Sequence, residues 1–328
     1  MATRTKPLPN SEPAWLVDLL ADDLQRVEER INEALVSHES RLSEIADYLI
    51  NAGGKRIRPA VSLLVFRACG GHDVRDMVDL SVALELIHTA TLLHDDIIDS
   101  NDVRRGQDAA PLKYGIADTL VTGDYLFCRA FEICGRFEPK IVAWAADACV
   151  QLTEGEMLQG RFRQNLEADE DLYLEIVGRK TASLFTAGAQ IGSYLAGVNS
   201  LMVDRMRSCG RHIGVAFQMI DDVLDIEGDP NNIGKQIGTD LLDGNPSLPI
   251  VRTLQITAVR EAFVAEACNA ALAQKARAAI MDSGVLEAIR GEALDHARAA
   301  TEIITDLPDN EFREALSKLV AGLVDRDL

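Results

Sequence analysis

The sequence predicts an all-α protein, and three observations carry that prediction. Aromatic residues make up only 5% of the 328 positions, while Ala and Leu are abundant, and both are strong helix formers. Proline is missing between Pro13 and Pro59, between Pro59 and Pro111, and between Pro139 and Pro230. Tracts of that kind suit long helices, because an interior proline costs about 3 kcal/mol. Leu16, Leu20, Leu24, Val27, Ile31 and Leu35 recur at spacings of three and four, which marks one face of an amphipathic helix. No strand-like alternation of any length accompanies these signals, and no convincing short-period repeat.

Taken in order, residues 1–13 are polar, carry three prolines and read as a flexible arm. Residues 14–328 read as one all-α domain. The first helix begins at Ala14, and a second, around Leu42 to Ala52, should end at Gly53-Gly54. Pro59 suits the first turn of the next helix, Ala60 to Cys69. The tract from Met77 to Ser100 is apolar on nearly every side, which marks a buried helix. Further helical tracts are expected at Ile116–Phe137, Ile141–Gln164, Asp171–Leu195 and Val203–Glu227. Glu227 to Pro249 is crowded with Gly, Pro, Asn and Asp and reads as one long loop. The remainder returns to an Ala-rich helical pattern with charged faces.

A formal net charge of −19 argues against nonspecific nucleic-acid binding, which draws on basic surfaces. Any anionic substrate must then meet local positive charge or metal ions. Cys69, Cys128, Cys134, Cys149, Cys209 and Cys268 show no CxxC spacing and read as reduced thiols. The opening MATRTKPLPNSEP has no apolar signal region, and no apolar run approaches the roughly 20 residues of a membrane span. The expectation is a soluble, cytoplasmic protein with no transmembrane segment.

The chemistry is concentrated in two acidic motifs. Asp95, Asp96 and Asp99 stand among Leu92, Leu93, Ile97 and Ile98 rather than among polar residues. The same DDxxD spacing returns at Asp221, Asp222 and Asp225, again beside Phe217, Ile220, Val223 and Leu224. On a helix, residues i and i+4 share a face about 6 Å apart along the axis, so Asp95 aligns with Asp99 and Asp221 with Asp225. One acidic triplet is ordinarily a solvated face, whereas two in apolar helices call for a cation. Hard carboxylate oxygens suit Mg²⁺, which takes one or two carboxylates plus substrate phosphates. Neither motif has the glycine-containing loop of an EF-hand.

Basic residues stand close by in the sequence. GGKRIRP, Gly53 to Pro59, places Lys55, Arg56 and Arg58 in a turn between helices, and Arg104 and Arg105 follow the first acidic helix at Gly106. Compensation of a helix C-terminal dipole would be the plainer role for either cluster alone. With metal-binding carboxylates beside them, they point to phosphate oxygens and a diphosphate site.

Five motifs together carry a resemblance. GGKRIRP, HDDIID with RRG (His94 to Gly106), GRKTASLF (Gly178 to Phe185), FQMIDDVLD (Phe217 to Asp225) and GKQIGTDL (Gly234 to Leu241) follow the order and approximate spacing of the trans-type (E-) isoprenyl diphosphate synthases. The chain resembles that polyprenyl synthetase family over roughly residues 40 to 320. The resemblance implies a single large helical bundle of the isoprenoid synthase type with a central active-site cavity. It also implies Mg²⁺ as cofactor, isopentenyl diphosphate and an allylic prenyl diphosphate as substrates, and a homodimer. Lys55, Arg58, His88 and Arg105 look like the isopentenyl diphosphate pocket. Asp95, Asp99 and Asp221, with Asp225 in support, look like the metal ligands. Arg104, Lys180, Thr181, Gln218 and Lys235 look like contacts to the allylic diphosphate, and Lys180, Lys235 and Arg104 like the catalytic cations. One departure is the text GNPSLP, with Asn245 where the family often has Lys and Ser247 where it often has Thr.

The implied reaction is ionisation of the allylic diphosphate, attack by the isopentenyl double bond, and loss of a proton, with the Glu227–Pro249 loop as a lid. Product length should follow from how deep the chain can grow below the metals. Thr91 and Ala90, four and five residues before Asp95, are small, where short-chain members of the family often carry aromatic residues. Leu86, Ile87 and Ala83 lie further down the helix. The text ELIHTATLLHDD looks like that of long-chain synthases that make quinone side chains, and a lipophilic product would pass to a membrane. The alternatives are a short-chain farnesyl or geranylgeranyl diphosphate synthase, a subunit of a heteromeric prenyl synthase, or a class I terpene cyclase. The cyclases usually carry a different second metal motif, and regulatory subunits would be expected to lose their acidic motifs.

Overall fold

The computed structural model describes residues 14–54, 56–228 and 238–325. The expected arm at residues 1–13, Lys55, and the loop residues 229–237 with Lys235 lie outside the described residues.

Sixteen helices and one minimal hairpin form the described chain, as the all-α reading anticipates. They are α1 (Ala14–Ala34), α2 (Ser40–Asn51), α3 (Ile57–Ala68), α4 (Arg75–Ile98), α5 (Ala110–Tyr114), α6 (Ile116–Cys134), α7 (Pro139–Arg161) and α8 (Glu170–Lys180). The remainder are α9 (Ala182–Leu195), α10 (Ser200–Glu227), α11 (Thr239–Asp243), α12 (Leu248–Thr253), α13 (Thr257–Phe263), α14 (Ala270–Asp282), α15 (Val285–Ile304) and α16 (Glu311–Val324).

α4 lies at the centre, packed by α1, α3, α6 and α9. It is long and apolar enough to cross a membrane by length and composition, and 78% of its most apolar window is buried inside the fold. That corrects the expectation that no stretch approaches a span. The apolar surface of α4 is covered by neighbouring helices. α9 and α10 pack more closely than any other pair, and small residues permit it: a Cβ at Gly214 would lie 2.5 Å from Ala182 Cα. This brings the second acidic motif, at the C-terminal end of α10, beside the start of α9.

Two local departures from the expected elements shape the site. The single tract expected at Asp171–Leu195 is broken at Thr181, which ends α8 and begins α9. Gly178, three residues before the break, lies inside α8 without ending it, and no proline stands in GRKTASLF. After α4 the chain forms a hairpin of β1 (Val103–Arg104) and β2 (Gln107–Asp108). Arg105 and Gly106 both have positive φ, 53° and 72°, the pattern of a two-residue type I′ turn. The hairpin folds Arg104 back over the acidic helix.

Candidate active site

A cavity of about 470 Å³ opens between the C-terminal ends of α4 and α10, the α8–α9 break, the hairpin and the segment from Thr239 to Ser247. Of the residues singled out in the sequence, Asp95, Asp99, Arg104, Arg105, Lys180, Thr181 and Gln218 line it.

On the α4 wall, Asp95 faces Lys180 at 3.9 Å, and Lys180 is also paired with Glu156 of α7. Burial raises the Asp95 carboxyl to about 7, with Glu156 and Asp99 adding to the rise and Lys180 opposing it. Burial works against the Lys180 ammonium, but Asp95 and Glu156 outweigh it and its pKa is raised. Asp99, which caps the end of α4, is paired with Arg163. Asp96 is wholly buried and takes Arg104 Nε at 2.7 Å and Nη2 at 2.5 Å on one oxygen. The hairpin is thereby pinned to α4, and Arg104 stands at the cavity held by a fixed partner.

On the α10 wall, Asp222 faces the cavity. Gln218 Nε2 donates to it at 2.8 Å, and Thr181 Oγ1 donates in turn to Gln218 Oε1 at 2.8 Å. Burial raises Asp222 to about 7. Asp221 is half-buried and acts electrostatically on Arg58. Asp225, like Asp221, is not among the residues lining the cavity. It accepts from Thr239 N at 3.1 Å, Thr239 Oγ1 at 2.7 Å and Asp240 N at 3.2 Å, and so satisfies the orphan donors that open α11.

That cap fixes the position of Asp240, which stands in the GKQIGTDL motif, and Asp243 follows it at the end of α11. Asp240 and Asp243 also line the cavity. Burial and then Asp225 push Asp240 well above the ordinary range, while burial and then Asp99 bring Asp243 up to about 6. Both lie within a stretch that reads as loop, and a five-residue helix leaves too little periodicity to find. Glu156, Gln159 and Arg163, at the end of α7, escape the motif reading for another reason. Their partners lie tens of residues away in the chain.

The second predicted pocket sits behind Arg105. Arg58 stacks on Phe185, its guanidinium carbon 5.0 Å from the ring centroid, and its buried Nε has no hydrogen-bond partner. Arg105 donates to Leu49 O at 3.3 Å. Arg56 is committed elsewhere, to Glu28, Glu85 and the Ile50 carbonyl. Burial, and then the charges of Arg58 and Arg105, hold His88 well below its usual value, so the imidazole is neutral. Burial also lowers the pKa of Arg58 and of Arg105. Cations crowded around the buried Glu85 outnumber it, which is the electrostatics of an anion pocket.

The matching comparisons bear on this geometry. The family model described as polyprenyl synthetase matches residues 39–302. The chain belongs to the polyprenyl synthetase family. It is 33% identical over 319 residues to the octaprenyl diphosphate synthase of Haemophilus influenzae, covering 95% of this chain and 96% of that one. A short chain isoprenyl diphosphate synthase of Methanothermobacter thermautotrophicus is 32% identical over 323 residues, with 95% and 99% covered. Among solved structures, a polyprenyl synthase from Caulobacter crescentus CB15, complexed with calcium and isoprenyl diphosphate, aligns with a TM-score of 0.90 at 36% identity. That alignment covers 98% of this chain and all of the other.

The donor set around the cavity fits a hard divalent cation, since every candidate ligand is a carboxylate oxygen. Asp95, Asp222, Asp240 and Asp243 are all displaced upward, first by burial and then by neighbouring carboxylates. Among the described residues no three potential ligands converge on one point, as expected where substrate phosphates complete the coordination of Mg²⁺. A pH dependence follows. A carboxylate with a raised pKa in the folded state contributes stability at low pH that is lost as pH rises through about 7. Mg²⁺ binding to the ionised groups should restore it. Thermal melts with and without Mg²⁺ should show a larger rise in Tm at pH 8 than at pH 6. Equal shifts would contradict the assignment of these carboxylates to metal.

Proposed function

We propose that this chain condenses isopentenyl diphosphate with an allylic diphosphate, repeatedly, to give a long all-trans polyprenyl diphosphate of the heptaprenyl to decaprenyl class. It is a prenyltransferase of the polyprenyl synthetase family. The observation that carries the reading is the cavity between two acidic helix ends with an arginine pocket adjoining it. Such a site suits two diphosphates at once.

Asp95 and Asp99 on one wall, with Asp221 of the second motif, would hold Mg²⁺; of that motif Asp222 lines the cavity and Asp225 caps α11. A Mg²⁺ ion held by these carboxylates would supply positive charge for the leaving diphosphate. Lys180, Arg104 and Lys235 supply further positive charge where the leaving group develops its own. Thr181 and Gln218 orient that diphosphate. Lys55, Arg58, Arg105 and the neutral His88 hold isopentenyl diphosphate. The allylic C–O bond breaks with its electron pair going to diphosphate. The isopentenyl double bond then forms the new C–C bond, and a proton leaves to the departing diphosphate. Water must be kept from the cation, and the Glu227–Pro249 segment would serve as the lid.

Residues 14–328 form the catalytic domain on this reading, acting in the cytoplasm and handing a lipophilic product to a membrane. Two copies would associate through α5–α7, where Leu112, Ile116, Leu120, Val121, Val150 and Met157 expose apolar side chains.

The test is condensation of labelled isopentenyl diphosphate onto farnesyl diphosphate with Mg²⁺, products being resolved by chain length. A ladder ending in the heptaprenyl to decaprenyl range is expected. Termination at the farnesyl or geranylgeranyl stage would contradict the long-chain reading, and no incorporation would contradict the activity.

A further inference from the structure

Arg163 is a basic residue beside the site that neither acidic motif explains. It lies just beyond the end of α7, its side chain 21% exposed, and its guanidinium is paired with Asp99 across 64 residues of chain. Its Nε is buried without a hydrogen-bond partner. Asp99, Glu156 and Asp243 all act on its charge, so the guanidinium stands between the α4 wall and the end of α11.

The next residue ties this position to the closing segment. Gln164 N donates to Gly244 O at 2.9 Å, and Gln164 Nε2 donates to Ala265 O at 2.6 Å. Four residues before Arg163, Gln159 Nε2 donates to Asn245 Oδ1 at 3.0 Å, while Asn245 Nδ2 lies 3.4 Å from Asp240 Oδ1. Position 245 is thus a neutral amide within an amide–carboxylate chain, where the family resemblance leads one to expect a lysine. Arg163 is not among the residues lining the cavity; its guanidinium reaches this corner through its pairing with Asp99, which lines it.

We propose that Arg163 is a placeholder cation. It holds Asp99 while no metal is bound and gives Asp99 up to a divalent ion. It then supplies, beside Asp243, the positive charge toward the allylic diphosphate that Asn245 does not. The proposal rests on the metal-site reading above. Its physical basis is competition: an arginine that already neutralises Asp99 weakens the attraction of that carboxylate for a metal ion, so removing the first strengthens the second. Asn245 keeps the turn in place through its hydrogen bonds, which leaves charge supply to a residue that can change partners.

The test uses Mn²⁺ alone as probe, titrated into the full-length, substrate-free protein and followed by the electron paramagnetic resonance of free Mn²⁺. Arg163→Gln should bind Mn²⁺ more tightly than the parent, by about five-fold or more. Arg163→Lys, which keeps a cation there, should stay close to the parent. A purely structural role predicts the reverse, because a damaged fold weakens metal binding; equal or weaker binding by Arg163→Gln overturns the proposal. At saturating metal, Arg163→Gln should raise KM for the allylic diphosphate and leave KM for isopentenyl diphosphate unchanged. An unchanged allylic KM overturns the second half of the proposal. If the parent protein condenses substrates and binds Mn²⁺ but the variant shows no gain, this inference alone fails. If the parent binds no Mn²⁺ at all, the metal-site reading falls and takes the inference with it.

Discussion

Asp95→Asn lowers the condensation rate by about two to three orders of magnitude, on the scale of losing one group that stabilises transition-state charge, and at the same time raises the melting temperature of the metal-free protein. The two effects share one cause. Asp95 is buried beside Glu156 and Asp99, and its carboxyl is pushed up to about 7, so at pH 8 the folded protein holds a charge that it would hold more cheaply in water. An amide of the same shape removes that cost. It leaves Lys180 with its other partner, Glu156. Each kcal/mol recovered shifts Tm by about 2–4 °C in larger domains. A gain of about 2 °C or more at pH 8 should therefore appear, shrinking toward pH 6, where Asp95 is already protonated. Activity and stability moving in opposite directions is the signature of a site strained toward a ligand it must bind. A variant that loses both would mark Asp95 as structural. One that keeps its activity would remove it from the metal site.

Ala90→Phe and Thr91→Phe shorten the product by several isoprene units. Ala90 and Thr91 lie five and four residues before Asp95 on α4, about 6–8 Å along the helix axis, where a chain growing below the metals would pass. Ala90 is wholly buried, so a phenyl ring there also overpacks the core, at a cost of about 1–3 kcal/mol. Thr91 is half-buried, and its hydroxyl donates to His88 O at 2.8 Å. A ring there costs less and gives the cleaner result. The comparison is the product ladder from farnesyl diphosphate, with melts run alongside to separate a blocked tunnel from a loosened fold. Unchanged length in both variants, with both folded, would place the floor elsewhere and remove the basis for reading chain length from this part of α4.

The acidic helices were legible in the sequence because their two signals reinforce each other. A DDxxD spacing aligns carboxylates only on a helix, and the apolar neighbours showed those helices to be buried. The turn at Gly106 was legible for the same kind of local reason, although the positive φ of Arg105 was not. The helix break at Thr181 was illegible, since GRKTASLF contains no residue that must end a helix. Its position follows from packing against α7 and α10. Within the second motif the sequence favoured Asp221 and Asp225 by helical spacing. The structure turns Asp222 to the cavity and uses Asp225 as a cap. Asp240 stood within the GKQIGTDL motif without a role assigned to it, while Asp243 and Arg163 depend on contacts between distant segments, which no local pattern encodes.

The most direct test of the central claim is a crystal structure with Mn²⁺ and a non-ionising thiolo analogue of the allylic diphosphate, read at the manganese absorption edge. The two acidic walls as metal holders predict anomalous peaks between the analogue's phosphates and the carboxylates of Asp95, Asp99 and Asp221, with Arg163 moved off Asp99. Peaks elsewhere, or an analogue bound with no metal between it and these aspartates, would contradict that assignment.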